Sequence, residues 1–285
     1  MDFQQVISVE NMRDSDAHTI AEHTTSAELM HRAAKGIFDS VKFTGKVAIV
    51  CGKGNNGGDG YALACILCQN GITPTIVRVD NKFSKDGLYY YKTALSMGAE
   101  EQPLELIGNF SGYDIVVDCL LGTGFSGKVS GSILTAIEQI NASNAYIISA
   151  DINSGINGNT GVGEIAVNSD LTVSIGCFKT GLFLNDAPYY IDSMLNVDIG
   201  IHIIQEEFKL IDYSQLHLFE GYNSIVMTTE EFYEKFGYTP ENCDLIGCVI
   251  DMSTQQKKTI VVKTDHSAII ADLKYVYFCA DYVRN

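Results

Sequence analysis

The chain has 285 residues, 46% of them hydrophobic, which is enough to bury the core of an α/β domain and a small additional unit. Nineteen basic residues against 35 acidic ones give a formal net charge of −16. This balance argues against nucleic acid as a partner, because affinity for a phosphate backbone depends on lysine and arginine. An anionic ligand would have to be bound by local backbone donors, not by the long-range field of the protein.

No export signal or membrane span is expected from the sequence. The chain does not open on a basic, then apolar, then small-residue pattern, and apolar runs such as residues 146–152 have only the length of a strand. Cys51 and Cys119 lie in apolar runs, where a free thiol packs as a small hydrophobic group. Cys65 and Cys68 form a CxxC pair inside a predicted helix, and no second pair completes a zinc site. We therefore expect a reducing, cytoplasmic location.

Strand-like and helix-like segments alternate along the first 200 residues. After a predicted helix at 26–40, strands are predicted at 47–51, 75–79, 115–118, 146–150, 171–175 and 196–199. Helices are predicted in the intervals at 59–69, 86–96 and 132–139. This alternation is typical of βαβ units and predicts a Rossmann-like three-layer α/β sandwich with a mostly parallel central sheet.

The connection after the first of these strands is the most informative loop. Residues 52–60 read GKGNNGGDG, where glycines allow close approach of a ligand and the following helix start offers free N–H groups to an anion. A Walker loop would need GxxxxGK[ST], and a lone GxGxxG match at Gly52, Gly54 and Gly57 is weak evidence for a dinucleotide site. A glycine-rich turn without a ligand remains the alternative.

Three loops are expected at one edge of the sheet. Right-handed crossovers place the connections after Cys51, Asp118 and Ala150 together, at the edge where open α/β sheets bind ligands.

The motifs in these loops resemble those of the YjeF N-terminal domain, the NAD(P)H-hydrate epimerase family. Besides the GxGNNGGDG loop, the likeness covers an MRxxD motif (Met12, Arg13, Asp16), an LM…A motif (Leu29, Met30, Ala33), VDxxxGTG (residues 117–124), DxPSG (residues 151–155) and DLTVTF…KxGL (residues 170–174 with Lys179, Gly181 and Leu182). It extends over about the first 205 residues. One departure is Asn153, which replaces the proline of the family motif, so we expect a less rigid turn there.

The resemblance implies an isomerase of nicotinamide-cofactor repair, which interconverts the R and S epimers at C6 of hydrated NADH or NADPH. The ring nitrogen can expel a protonated hydroxyl, and water can then add to either face of the planar cation. Such a reaction needs a general acid that becomes a base and an anion near the transient positive charge. Asp151 is the catalytic candidate, with a turn-capping aspartate as the alternative. Lys179 is a second candidate, either for assisting the proton transfer or for neutralising the charge of a phosphate. The alternative is a solvated lysine without a role in the site.

The resemblance also implies binding residues and a cofactor. The implied substrate-binding residues are Asn55, Asn56, Gly57, Gly58, Asp59, Gly122, Thr123, Gly124, Phe125, Ser126, Gly127, Lys128 and Asp151. The implied ligands of a potassium ion are Asn56, Asp118 and Ser154, whose oxygen atoms suit a hard cation. Helix or turn capping is the alternative for Asp118.

The sequence changes character after residue 205. Residues 1–205 are expected to form the epimerase domain, and residues 206–285 a small C-terminal appendage without a complete site motif. A faint likeness of residues 225–232 and 259–272 to the dehydratase domain that is fused to many relatives offers a second interpretation, a degenerate remnant. Partners implied by the resemblance are the hydrated dinucleotide substrate, a second copy in a homodimer and a separate dehydratase.

Two other functions are compatible with this fold. The domain also occurs in RNA-decapping scaffold proteins, where it serves dimerisation and binding without catalysis, and fold alone does not decide between them. The retained Asn55, Asn56, Asp59, Asp118 and Asp151 and the acidic composition favour the enzyme. A nucleotide sensor, whose altered C-terminal part binds a partner, should change its assembly state on binding a dinucleotide.

Overall fold

The computed structural model describes residues 4–240 and 242–284. Its strands are β1 (Gln5–Ile7), β2 (Val47–Cys51), β3 (Thr75–Arg78), β4 (Glu100–Pro103), β5 (Ile115–Cys119), β6 (Tyr146–Ala150), β7 (Leu171–Ile175), β8 (Phe178–Lys179), β9 (Met194–Val197), β10 (Phe208–Leu210), β11 (Ser224–Thr228), β12 (Thr259–Lys263), β13 (Ser267–Ala271) and β14 (Val276–Ala280). Its helices are α1 (Val9–Glu22), α2 (Ser26–Ser40), α3 (Asn55–Gln69), α4 (Lys85–Ser96), α5 (Leu104–Ile107), α6 (Gly131–Asn141), α7 (Thr229–Phe236) and α8 (Leu245–Gln256). Within the described residues, no helix combines the length and apolar character needed to cross a bilayer.

Seven strands form an all-parallel sheet in the order β4-β3-β2-β5-β6-β7-β9. Every residue of β2, β5 and β7 is buried, as expected for strands covered on both faces. Helices α2, α3 and α4 pack on one face, and α5 and α6 on the other. The predicted three-layer α/β sandwich with a parallel central sheet is confirmed.

Several element boundaries differ from the predictions. Helix α3 begins at Asn55 and not at residue 59, because Gly54 is its N-cap. Residues Asn55 to Asp59 therefore form the first turn of a helix and not a free loop. Helix α1 and strand β4 were not predicted. The sequence of α1 is polar, and its place is set by tertiary hydrogen bonds, such as those that Ser8 makes with Glu207.

A second seven-stranded sheet, of mixed direction, has the order β11-β12-β13-β14-β10-β1-β8. Strand β1 pairs in parallel with β8 and antiparallel with β10, so strands from both ends of the chain share this sheet. Its core contains a chain of phenylalanine rings with centroids 5.5–5.8 Å apart, formed by Phe178, Phe183, Phe278 and Phe208. The division at residue 205 and the interpretation of 206–285 as an appendage or a remnant stay predictions.

Candidate active site

The loops expected at the carboxyl edge of the parallel sheet meet around Gly122. A Cβ atom on Gly122 would lie 3.2 Å from Oδ2 of Asp151 and 3.3 Å from Cβ of Asn56. Gly122, in the loop after β5, thus lies between the start of α3 and the turn after β6. Because Gly122 has no side chain, Asn56 and Asp151 can both lie close to it, and we call this meeting point of the loops the candidate cleft.

Asp151 occupies a strained turn directly after β6. Its φ is +68°, a left-handed conformation that few residues other than glycine adopt, and Ile152 N–H donates to the carbonyl of Ala150 at 2.8 Å across it. Such strain often accompanies function and costs about 1–3 kcal/mol. The turn directs Oδ2 of Asp151 toward the backbone N–H of Thr123, 3.4 Å away.

Lys179 forms an ion pair with Asp151 in the interior. The lysine side chain is 1% exposed and its ammonium donates to Oδ1 of Asp151, while the Asp151 side chain is 15% exposed. The ammonium also donates to the carbonyl of Ile175 at 2.6 Å and lies 3.4 Å from the hydroxyl of Ser174. A buried cation is thereby paired and hydrogen-bonded, as burial of a charge requires. The solvated-lysine interpretation of Lys179 does not hold.

Two further aspartates interact electrostatically with this pair. Burial raises the pKa of Asp16 to about 6, while Lys179 lowers it and Asp151 raises it. Burial also raises the pKa of Asp59 well above its usual value, and the carboxylates of Asp151 and Asp16 raise it further. We call Asp16, Asp59, Asp151 and Lys179 the Asp151 cluster. No role was predicted for Asp16, although its spacing of four residues from the buried Met12 places it on the inward face of α1.

Asp118 lies in a different environment at the end of β5. It is fully buried, and its oxygens accept hydrogen bonds from Ser149 Oγ at 2.9 Å, Ser154 N at 2.9 Å, Ser154 Oγ at 2.5 Å and Leu120 N at 3.1 Å. Burial raises the pKa of Asp118, although these donors act in the opposite direction. We call Asp118, Ser149 and Ser154 the Asp118 network.

Asn56 connects this network to the start of α3. Its Nδ2 donates to the carbonyl of Leu121 at 2.7 Å, and the N–H of Leu121 donates to Oγ of Ser154 at 2.9 Å. The Oδ1 atom of Asn56 is buried and has no hydrogen-bond partner in the structure. A buried amide oxygen without a donor, close to a network with a carboxylate, suits a cation that prefers hard oxygen ligands.

Asn153, in the position of the family's proline, is buried and hydrogen-bonded on both ends of its amide. Its Nδ2 donates to the carbonyl oxygens of Val167 and Tyr190 and to the hydroxyl of Ser169 at 2.8–2.9 Å. Its Oδ1 accepts from Thr172 Oγ1 at 2.5 Å. The rigidity that a proline ring would supply through φ is here supplied by side-chain hydrogen bonds.

The other predicted binding residues differ in their exposure to solvent. Gly57 and Gly58 are buried in the first turn of α3, whereas Asn55 is exposed. Gly122, Thr123 and Phe125 are half-buried, and Gly124, Ser126, Gly127 and Lys128 are exposed. Lys128 pairs with Glu164 at 2.6 Å on the surface. The segment 122–128 is thus an irregular and largely exposed loop.

Residues 26–181 match the model of the family described as YjeF-related protein N-terminus. This segment is more than half of the chain and contains the Asp118 network, Asn56, Asp151 and Lys179. The chain belongs to this family.

Three curated relatives are each similar over about two thirds of the chain. The chain is 34% identical over 214 residues to an NAD(P)H-hydrate epimerase of Lentilactobacillus buchneri, covering 70% of this chain and 95% of the relative. It is 30% identical over 201 residues to an NAD(P)H-hydrate epimerase of Limosilactobacillus fermentum, covering 68% and 97%. A bifunctional NAD(P)H-hydrate repair enzyme of Coxiella burnetii is 30% identical over 198 residues, covering 67% of this chain and 40% of the relative.

A solved structure shares the fold. The crystal structure of the yeast protein ynu0 superposes with a TM-score of 0.52 at 20% sequence identity, and the match covers 62% of this chain and 82% of the yeast chain.

Proposed function

We propose that the chain is an NAD(P)H-hydrate epimerase, an isomerase that interconverts the R and S hydrates of NADH and NADPH. Family membership and the epimerase relatives support this activity. The observation that carries the proposal to individual residues is the ion pair of Asp151 and Lys179, which lies beside Gly122 where the loops at the carboxyl edge of the sheet meet.

The proposed reaction uses Asp151 as acid and then as base. The reaction starts from the form of the site in which Asp151 is protonated on Oδ2. The lone pair of the ring nitrogen breaks the C6–O bond while Asp151 gives this proton to the hydroxyl, which leaves as water. A water molecule then adds to the other face of C6 and returns its proton to the same carboxylate. One water leaves and one is consumed, so the reaction is a net isomerisation. Lys179 holds Oδ1 of Asp151 and leaves Oδ2 toward the cleft.

The charges of the Asp151 cluster suit the cationic intermediate of this reaction. Once Asp151 has given up its proton, its carboxylate lies beside the cationic ring in the proposed reaction and would stabilise that charge. Phosphates of the dinucleotide would be bound at the start of α3, where the first N–H groups of a helix have no partner within the helix. The remaining binding residues, Asn55 to Asp59 and Gly122 to Lys128, are proposed to contact the substrate around these two points.

Potassium is part of the proposal, with Asn56, Asp118 and Ser154 around the ion. The unpartnered Oδ1 of Asn56 fits a cation, and the buried carboxyl of Asp118 would be stabilised in its charged form by one. Within the described residues, no group of three His, Cys, Asp or Glu side chains could hold a metal ion. The donor set proposed for potassium consists instead of an amide oxygen, a hydroxyl oxygen and a single carboxylate. When bound, the ion would brace the loops and balance phosphate charge.

A coupled assay tests the proposed activity. A chemically prepared mixture of both hydrate epimers is incubated with a dehydratase that accepts only the S form. Without an epimerase, consumption stops when the S form is exhausted, apart from slow spontaneous epimerisation. Addition of this protein should drive consumption to completion.

An enzyme-free sample at the same pH sets the spontaneous rate, and Asp151→Asn is the inactive control. Dinucleotide binding without any rate above the spontaneous one would contradict the proposal and favour a non-catalytic scaffold. A separate dehydratase as the next enzyme, a homodimer and a cytoplasmic location complete the proposal.

A further inference from the structure

The strand that carries Lys179 belongs to the mixed sheet and not to the parallel sheet that holds the rest of the site. In β8, Lys179 pairs with Ile7 of β1, and β1 in turn pairs with β10. Strand β10 is hydrogen-bonded to β14 near the carboxyl end of the described chain. The backbone of Lys179 is therefore two strands away from the segment 206–285.

The turn that follows Lys179 is fixed by the same segment. The 3-10 turn Thr180–Phe183 is buried, and two of its carbonyl oxygens accept buried hydrogen bonds from residues beyond 206. Oγ of Ser267 donates to Phe183 at 2.7 Å, and the hydroxyl of Tyr282 donates to Leu182 at 2.7 Å. The Phe183 ring also packs against Phe278, with centroids 5.5 Å apart.

These contacts hold Lys179 from both sides in sequence. On the N-terminal side of Lys179, the pairing of β10 with β1 and of β1 with β8 sets the position of strand β8. Downstream, Ser267 and Tyr282 set the position of the turn. The ammonium must reach Asp151 and Ile175 at the same time, and a displacement of about 1 Å in such a pair can cost 10²-fold in rate.

We propose that residues 206–285 position Lys179, so that Ser267 and Tyr282 are positioning residues of the epimerase site. The inference rests on the proposed function. It assigns to the C-terminal segment a role in the site itself, although neither residue touches the cleft. The segment acts through the turn Thr180–Phe183 and through the sheet it shares with β8.

The test compares Ser267→Ala and Tyr282→Phe with Ser253→Ala in the full chain. Ser253 is a matched control, because its buried hydroxyl donates to Lys258 and Ala271, both within the C-terminal segment. We expect kcat for epimerisation to fall about tenfold in Ser267→Ala and Tyr282→Phe with KM unchanged, and to stay at the parent value in Ser253→Ala. Amide hydrogen exchange in Thr180–Phe183 should be faster in the first two variants only.

Denaturation midpoints show whether the serine variants lose similar stability. If Ser253→Ala lowers kcat and accelerates exchange in Thr180–Phe183 as much as Ser267→Ala does, the segment provides only general stability and the proposal is wrong. Unchanged kcat and exchange in all three variants would also overturn it. An inactive parent protein would contradict the proposed function, and the exchange measurement would still decide whether the segment positions Lys179.

Discussion

Two aspartates at the carboxyl edge of neighbouring strands show how differently one sheet edge can use the same side chain. Asp118 is fully buried, and its oxygens accept four hydrogen bonds. Asp151 is 15% exposed, has a positive φ and shares its charge environment with Asp16, Asp59 and Lys179. The hydrogen-bonded carboxylate of Asp118 fixes backbone segments relative to one another, whereas the strained and partly exposed carboxylate of Asp151 is available to the substrate.

The largest expected effect is on chemistry at Asp151. Asn keeps the size of the side chain and tolerates the left-handed conformation, but it cannot exchange a proton with the hydroxyl. Asp151→Asn should therefore lower kcat by roughly 10² to 10⁴ while dinucleotide affinity changes little. The coupled assay and equilibrium binding to the dinucleotide measure the two quantities. Turnover at the parent rate would make Asp151 a turn residue and move the catalytic assignment to Lys179.

The second expected effect is on stability and binding at Asp118. Asp118→Ala leaves the donors of Ser149, Ser154 and Leu120 without their acceptor, which should lower the free energy of unfolding by about 2–4 kcal/mol. If potassium binds beside this network, potassium should raise the melting temperature of the parent protein but not of the variant, and the variant should bind the dinucleotide more weakly.

Asp39→Ala is the control for Asp118→Ala. Asp39 is exposed and pairs with Lys35 on the surface of α2, so its removal should change stability little. Equal denaturation midpoints for Asp118→Ala and Asp39→Ala would show that the Asp118 network does not stabilise the fold. Unchanged dinucleotide affinity in potassium-free buffer would count against the shared ion site.

The third expected effect is a pH-dependent change in the free energy of unfolding when Asp16 is replaced. The pKa of Asp16 is raised from 3.8 to about 6, so the folded protein holds a proton there that the unfolded chain has already released. This contribution favours the folded state below pH 4 and is lost as pH rises through 6. Asp16→Asn should therefore be more stable than the parent at pH 8, by roughly 1–2 kcal/mol after allowance for partial exposure.

Urea unfolding of both proteins at a series of pH values measures this difference, which should shrink toward zero as pH falls to 4. A variant that is less stable than the parent at pH 8 would show that the Asp16 carboxylate is a net stabilising partner of Lys179. That result would contradict the assignment of burial as the main influence on the pKa of Asp16.

The parallel sheet could be predicted because its signals are local. Residues 47–51, 146–150 and 171–175 are apolar runs that match β2, β6 and β7 at both ends. Strand β4 reads EEQP and α1 is polar, so neither has a hydrophobic pattern, and both are fixed by tertiary contacts. The mixed sheet depends on strands of two or three residues, β1, β8 and β10, whose pairing joins distant parts of the chain and leaves no periodicity to detect.

The motifs that contribute residues to the candidate site could be predicted from the sequence, but the arrangement of their side chains in space could not. Family resemblance singled out Asp118, Asp151 and Lys179, yet only the structure brings the lysine of β8 onto the turn after β6. The contribution of Asp16 to the charge of the site and the hydrogen bonds that replace the proline at Asn153 depend on long-range packing. Neither could be obtained from spacing along the chain.

The smallest expected effect concerns Thr172, which supports the turn that contains Asn153, between Asp151 and Ser154. The hydroxyl of Thr172 donates to Oδ1 of Asn153 at 2.5 Å and lies 2.8 Å from the hydroxyl of Ser169. Thr172→Val keeps the shape and the branched Cβ that suit strand β7, but it leaves Asn153 Oδ1 without a donor. The free energy of unfolding should fall by about 1 kcal/mol, and kcat should stay within about twofold of the parent, because Nδ2 of Asn153 keeps its three acceptors.

Thr75→Val is the matched control, since Thr75 is a buried threonine on β3 of the same sheet and lies outside this group of hydrogen bonds. The two variants should differ in urea midpoint, with Thr172→Val the less stable, and should agree in turnover. If Thr172→Val instead loses most of its kcat while binding the dinucleotide normally, the rigidity of the turn serves the chemistry at Asp151 directly. The Asp118 network and the Asp151 cluster would then be one unit, coupled through Asn153, because that residue lies between Asp151 and Ser154 in the chain.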